Sequence, residues 1–386
     1  MQQPTAPIFY VTRLRPPVYR TEVLAQLNQQ LDGRLVVAAG APPEGSSFGS
    51  IISDGGPYTT LSLPTYWRGD QLHAHFWPKV FARYGRPAAV LAEEAVRSAT
   101  WPALVYYCKL RRIPLVSWGH FSSNDRAFDP ETHRADRFRL HMARRATACV
   151  GYTEGVIHPL RPYIAADRLF VAPNTLDVAR LAALRTSLMH EGQRALRQRL
   201  GLRHVPTLVF MGRLIPEKGT AMLLDVYRLL RREQDLQLVV IGEGEARASM
   251  QARLTPDEEG DVHFTGGLTT YEASAPYLAA ADVMVVPGYL GLVVNHAFAF
   301  GLPVVSQASP GTMRYHSPEI EYVRPGENGL LTPHGDAAAM ARGIEAILSD
   351  LSAYSAAAYA YATTHLALDR MVDGLHDALR YAQKTS

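Results

Sequence analysis

Apolar positions along the 386-residue chain alternate between two patterns. Short runs rich in β-branched and aliphatic residues, at Ile8–Val11, Leu35–Ala39, Ala88–Ala92, Leu115–Trp118, Ala148–Tyr152 and Leu169–Pro173, read as buried strands. Between them, Arg20–Leu31, Leu72–Tyr84, Trp101–Arg111 and Glu131–Arg145 carry apolar residues at helical spacing. Strand alternating with helix predicts a parallel, doubly wound α/β sheet. Residues 40–69, rich in Gly, Pro, Ser and Thr, form a long excursion with a hairpin expected at Tyr58–Leu63. The plan then repeats: strands Leu208–Met211, Leu238–Ile241, His263–Thr265, Val283–Val286 and Val304–Ser306 are separated by helices. Gly335–Leu348 and the Ala-rich tail Leu351–Ala382 read as helices.

Composition narrows the class. A hydrophobic share of 47% with 19% charged residues describes a globular chain, not a disordered one. The length suits two domains, each with its own core. A net charge of +3 gives no reason to expect nucleic acid as a partner. Cys108 and Cys149 have no CxxC or His-rich company, so buried free thiols in a reducing compartment are expected. The apolar run near the N-terminus is too short for a signal peptide, and no run approaches the roughly 20 residues of a membrane helix. The expected location is the cytoplasm, with peripheral contact at the inner membrane face left open.

Candidate chemistry concentrates in the second half. The stretch from Asp282 to Val305, DVMVVPGYLGLVVNHAFAFGLPVV, is a buried strand, a Pro-Gly break, a Gly-containing loop, a helix and another strand. A Gly-bearing loop that opens a helix leaves backbone N–H groups beside the positive end of a dipole, a place for phosphate. An ordinary strand-loop-helix crossover fits the same residues. Upstream, the strand TLVFMGR is followed by LIPEKG and a helix.

Together the two stretches resemble the C-terminal nucleotide-binding domain of GT-B glycosyltransferases, in particular the retaining family 4 group. In that group Gly-Arg-x4-Lys-Gly brings an Arg and a Lys to the donor diphosphate; here it stands as Gly212-Arg213-Leu-Ile-Pro-Glu-Lys218-Gly219. The second hallmark, Glu-x7-Glu followed by Gly-x-Pro-Val-Val, keeps its ending at Gly301, but Gly288 and His296 stand at the two acidic positions. Asn174-Thr-Leu-Asp177 and residues 317–332 resemble the interdomain junction and the closing segment of the same family.

The resemblance implies two Rossmann-like domains facing across a cleft, with the C-terminal helix crossing back to the first domain. The expected domains are 1–180 for the acceptor, 181–364 for the nucleotide sugar, and 365–386 as the returning helix. It also implies transfer from a nucleoside-diphosphate sugar to a glycan or lipid-linked saccharide, without cofactor or metal, because cations and amides take the developing charge. Gly212, Arg213, Lys218, Gly291, Leu292, Val293 and His296 are the expected donor-binding residues. Arg213 and Lys218 would stabilise the leaving diphosphate. Glycine cannot replace the contact that the first Glu makes to the donor sugar; His296 can still make one hydrogen bond.

In the first half His120, at the end of a strand, is expected near the donor sugar and is grouped with Arg213 and Lys218 as catalytic. Arg13 and Arg15 lie in the first loop and suit an anionic acceptor. Glu93 and Glu94 point to opposite sides, so at most one faces the cleft, and Glu94 is chosen as the acceptor ligand. The Arg-rich segment with Arg134, Arg137, Arg139, Arg144 and Arg145 is either a solvated face or a contact to anionic lipid. The missing carboxylates keep an inverting GT-B enzyme, a sugar-nucleotide epimerase, or a catalytically silent nucleotide-sugar-binding paralogue as alternatives.

Overall fold

The computed structural model describes residues 6–41, 55–68, 72–123, 125–311, 313 and 315–385. The chain divides into two compact units, Met1–Asn174 with Leu368–Ser386, and Thr175–Ala367.

Among the described residues nine strands fall in the first unit: β1 Ile8–Thr12, β2 Leu35–Gly40, β3 Thr59–Leu63, β4 Thr65–Arg68, β5 Leu72–His75, β6 Ala89–Glu93, β7 Leu115–Gly119, β8 Ala148–Gly151 and β9 Leu169–Val171. Seven form one parallel sheet in the order β3-β2-β1-β6-β7-β8-β9, and β4 pairs antiparallel with β5. Successive residues of β1 enter different cores: Phe9 and Val11 pack on one face, Ile8 and Tyr10 on the other. A strand buried on both faces is why the sequence shows continuous apolar runs and not alternation.

The helix Leu368–Lys384 completes the second face. Leu368, Met371, Val372, Leu375, Ala378, Leu379 and Ala382 recur at helical spacing and pack with Ile8, Val37, Leu91 and Val116. The expected single tail helix is two helices, Leu351–His365 and Leu368–Lys384, and the break between them is where the chain passes from one unit to the other.

In the second unit β10 Thr207–Met211, β11 Gln237–Ile241, β12 Val262–Gly266, β13 Val283–Val286, β14 Val304–Gln307 and β15 Gly329–Thr332 form a parallel sheet in the order β12-β11-β10-β13-β14-β15. Counted within the unit this is the order 3-2-1-4-5-6 of a dinucleotide-binding fold. The two sheets are therefore both Rossmann-like, and the architecture is GT-B.

Three expectations of local structure change. Leu72–Tyr84 is not one helix: the alternating segment Leu72–His75 is a strand, and the helix starts at Pro78, whose fixed φ suits a first turn. The hairpin is β4–β5, whereas Thr59–Leu63 is a parallel edge strand; the rest of that excursion, residues 42–54, lies outside the described residues. The unit boundary falls at Asn174, not 180. Thr175 Oγ1 donates to the Leu366 carbonyl and accepts from Asn295 Nδ2, tying the chain to the second unit before the helix Val178–Met189 begins.

Candidate active site

In each sheet, strand order reverses once, between β1 and β6 in the first unit and between β10 and β13 in the second. The carboxyl ends of strands at such a reversal splay apart and leave a crevice, the usual ligand site of open α/β sheets. The candidate residues collect at both reversals.

In the second unit, β10 leads into Gly212-Arg213 and β13 into Pro287-Gly288. Pro216–Lys218 is a 3₁₀ turn ahead of the helix Thr220–Arg231, whose first amides lack intrahelical acceptors. Gly288 N–H donates to the Lys218 carbonyl at 3.1 Å, and Tyr289 N–H to the Glu217 carbonyl at 2.8 Å. The two motifs, distant in sequence, are thus joined backbone to backbone.

Lys218 lies over the Tyr289 ring, with Nζ 4.7 Å from its centroid and donating to the Tyr289 carbonyl at 2.7 Å. Burial, and then the neighbouring Arg213 guanidinium, bring the Lys218 ammonium down to about 8, against the pull of the buried Glu319 carboxylate. Arg213 is exposed and makes no ion pair among the described residues. A half-buried ammonium beside a second cation is short of negative charge. A dianionic diphosphate supplies it.

The loop beyond is fixed by His316, which accepts from Leu290 N–H through Nδ1 at 3.0 Å and faces the Gln307 carbonyl through Nε2 at 2.9 Å. Those two bonds set a neutral Nε2–H tautomer, and burial lowers its proton affinity to about 4. The Tyr289 hydroxyl bonds Ser317 Oγ. Gly291, Leu292 and Val293 follow, at the entry to the short helix Val293–Ala299. His296 is one turn in, its ring edge-on to Tyr271 at 5.4 Å. Burial brings it to about 4, so it is neutral near pH 7. Its Nδ1 is enclosed with no partner among the described residues. Tyr289, His316 and Glu319 were missed from sequence, although Tyr289 falls within Asp282–Val305 and the other two within or beside residues 317–332.

In the first unit a cavity of about 260 Å³ opens at the reversal and is lined by Thr12, Arg13, Arg15, Arg20, Glu93, Trp118 and Tyr152 among others. Glu93 Oε2 accepts from Thr12 Oγ1 at 2.7 Å and from Arg13 N–H at 2.6 Å, locking the first loop to β6. Arg15 reaches Ser62 Oγ at 3.1 Å. His120 is exposed on the turn after β7, its ring 4.9 Å from that of Tyr152.

Glu94 is not in this wall. Its side chain is 5% exposed, pairs with Arg139 at 3.2 Å and accepts from Phe121 N–H at 3.2 Å. Burial raises its proton affinity despite Arg139. Of the two adjacent carboxylates it is Glu93 that meets the cavity, as strand alternation requires of one of them. Arg20 was also missed, because a residue opening an amphipathic helix gives no sequence signal of burial.

The Arg-rich segment spends most of its guanidinium groups on the protein. Arg139 pairs with Asp136 and Glu94, Arg137 bonds the Pro130 and Glu131 carbonyls, Arg144 the Tyr163 carbonyl, and Arg145 the His141 carbonyl. No described helix is long and apolar enough to cross a membrane. Among the described residues no group of three or more His, Cys, Asp or Glu is placed to hold a metal ion.

Residues 205–350 match the family model described as glycosyl transferases group 1. The lipopolysaccharide core biosynthesis glycosyltransferase LpsE of Rhizobium meliloti is 34% identical over 151 residues, 38% of this chain and 41% of that protein. A GDP-mannose-dependent alpha-(1-6)-phosphatidylinositol monomannoside mannosyltransferase of Mycolicibacterium smegmatis is 33% identical over 187 residues, 45% and 46% of the two chains. The chain thus spans about half the length of the curated relatives it matches. The crystal structure of Anabaena HepE in complex with UDP superposes with a TM-score of 0.67 at 19% identity, covering 97% of this chain and 99% of that one. At that identity the likeness speaks for the fold.

Proposed function

We propose that the protein is a glycosyltransferase that moves a sugar from a nucleoside-diphosphate sugar to a hydroxyl of a glycan or lipid-linked saccharide, with retention of anomeric configuration. One observation carries the reading: the half-buried Lys218 ammonium, beside exposed Arg213, at the strand reversal of the segment that matches group 1 glycosyl transferases. The relatives' names point the same way, one being GDP-mannose-dependent and one solved neighbour holding UDP.

In this account Arg213 and Lys218 hold the diphosphate, and the amides of Gly291, Leu292 and Val293 donate to the distal phosphate and sugar. The bond from the anomeric carbon to the diphosphate breaks, and a bond to the acceptor oxygen forms on the same face. The acceptor proton passes to the departing phosphate oxygen. The two cations stabilise the charge that develops on the leaving group, so no metal ion is needed. His296 Nε2 binds the nucleoside part, and His120 the donor sugar. Arg13, Arg15 and Glu93 bind the acceptor, with Glu93 taking the role first given to Glu94. The free, buried thiols of Cys108 and Cys149 fit a reducing compartment such as the cytoplasm.

A second reading, inversion with Glu93 as general base, is favoured by the carboxylate in the first-unit cavity and by the glycine at 288. The test of both is incubation with UDP-, GDP-, ADP- and TDP-sugars and a membrane-lipid extract, followed by nucleoside diphosphate release and NMR of the product. Acceptor-dependent consumption of one donor with a retained anomer supports the proposal. An inverted anomer selects the second reading, and a donor bound but never consumed points to a silent binding protein.

A further inference from the structure

Arg20 is 6% exposed, yet no carboxylate lies within ion-pair distance of it among the described residues. Its partners are neutral. Nη2 donates to Asn174 Oδ1 at 2.5 Å, Nη1 approaches Met371 Sδ at 2.8 Å, and the guanidinium lies 5.0 Å from the Trp118 ring and 5.5 Å from those of Tyr19 and Tyr152. Ring faces attract a cation but carry no net charge, so the buried positive charge is left uncompensated.

Arg20 also lines the cavity at the β1/β6 reversal. Among the described residues of that wall, Arg13, Arg15 and Arg20 are cations and Glu93 is the carboxylate. Arg20 is held by the fold on both sides: Asn174 ends the first unit's main segment and Met371 lies on the returning helix. A guanidinium fixed that firmly keeps its fork geometry, which suits the paired oxygens of a carboxylate or phosphate. Aromatic faces of Trp118 and Tyr152 and the hydrogen-bond-accepting Glu93 suit a pyranose ring with its hydroxyls.

We infer that the first-unit cavity binds an acidic saccharide, a sugar bearing a carboxylate or a phosphate ester, whose anionic group pairs with Arg20 and whose hydroxyls bond Glu93. This deepens the glycosyltransferase reading and rests on it for the role of that saccharide as acceptor. The rim residue Arg15 is the second anchor for the charge. Neutral sugars of the same ring leave Arg20 uncompensated and bind worse.

The test is calorimetric or saturation-transfer NMR binding of glucuronate, glucose 1-phosphate, glucose and inorganic phosphate to the full chain. It is run with Arg20→Gln and Arg15→Glu, and UDP binding to each variant serves as a check on the second unit. An acidic sugar is expected to bind at least about 10-fold more tightly than glucose, with the preference lost in Arg20→Gln and reversed or abolished in Arg15→Glu. Glucuronate and glucose 1-phosphate separate the carboxylate from the phosphate source. Equal affinity for glucose and both acidic sugars overturns the inference, as does inorganic phosphate binding as tightly as glucose 1-phosphate, which marks a bare anion site. If Arg20→Gln does not fold, Arg15→Glu decides, because its side chain is at the rim; unchanged preference there overturns the inference. UDP bound normally throughout, with no acidic preference, sinks this inference alone, whereas failure of UDP to bind the unaltered chain counts against the donor site.

Discussion

Gly219 and Gly288 exclude each other's side chains. A Cβ on Gly219 would lie 2.7 Å from Gly288 N, and one on Gly288 would overlap the Glu217 carbonyl oxygen and the Lys218 backbone. Gly219 also has φ +69°, a conformation that costs any other residue roughly 1 kcal/mol or more. The paired glycines let the two motif loops touch, and that contact is what sets Lys218 beside Tyr289.

The missing first carboxylate is therefore built into the backbone. Gly288→Ala is expected to cost about 1–3 kcal/mol in unfolding free energy through overpacking. Gly288→Glu is expected to cost at least as much and to weaken nucleotide binding. Denaturant unfolding and calorimetry check both; a Gly288→Glu protein of unchanged stability that binds donor more tightly would show that the loop has room for the family residue.

Lys218 makes the proposed donor site sensitive to alkali. Its folded proton affinity, near 8, lies below the ordinary lysine value, so between about 8 and 10.5 the unfolded chain holds more protons and stability rises with pH across that window. Below 8 the buried charge is carried in full. Diphosphate binding needs the ammonium, so affinity should fall as pH rises through 8, with proton uptake on binding. Isothermal titration in buffers of different ionisation heat measures the uptake. Lys218→Ala should abolish it, and equal heats in every buffer would refute the assignment.

Three buried imidazoles predict loss of stability in acid. His75, His296 and His316 are all held near 4 by burial, against an ordinary 6.5. Each folded site refuses a proton that the unfolded chain accepts, so stability is lost as pH falls from about 6.5 towards 4. Unfolding midpoints between pH 7 and 4 should slope downwards, and His296→Gln should flatten the slope. A level profile from 6.5 to 5 would contradict this.

Adjacent carboxylates should behave differently. Glu94→Gln weakens a buried pair with Arg139, whose side chain is 11% exposed and keeps Asp136 as its second partner, and is expected to cost about 1–3 kcal/mol of stability. Glu93→Gln keeps its hydrogen-bonding shape and should affect acceptor use, read as KM for acceptor, more than unfolding. Reversed outcomes would return the acceptor role to Glu94.

How much of this was legible in the sequence depended on whether the signal was local. Five of the six second-unit strands emerged within one or two residues because buried parallel strands are short, apolar and bounded by breakers, and β13 was placed at Val283–Val286 as observed, whereas β15 lay unread inside residues 317–332. The Gly212–Gly219 motif was visible through its resemblance to the family's Gly-Arg-x4-Lys-Gly. The Leu72–Tyr84 segment failed because His73 and His75 mark a strand with polar residues and Pro78 sits where two elements meet. Arg20 and the choice between Glu93 and Glu94 were not legible, since both depend on which neighbours the sheet brings near: Met371 and Asn174 in one case, Arg139 and Phe121 in the other.

The measurement closest to the centre of the account is calorimetric binding of UDP, GDP, ADP and TDP to the protein, to Arg213→Ala and to Lys218→Ala. One nucleotide is expected to bind, weakened about 10-fold or more in each variant, as loss of a charged hydrogen bond requires. No binding by any of the four, or equal affinity in the variants, would contradict a diphosphate site at the β10/β13 reversal.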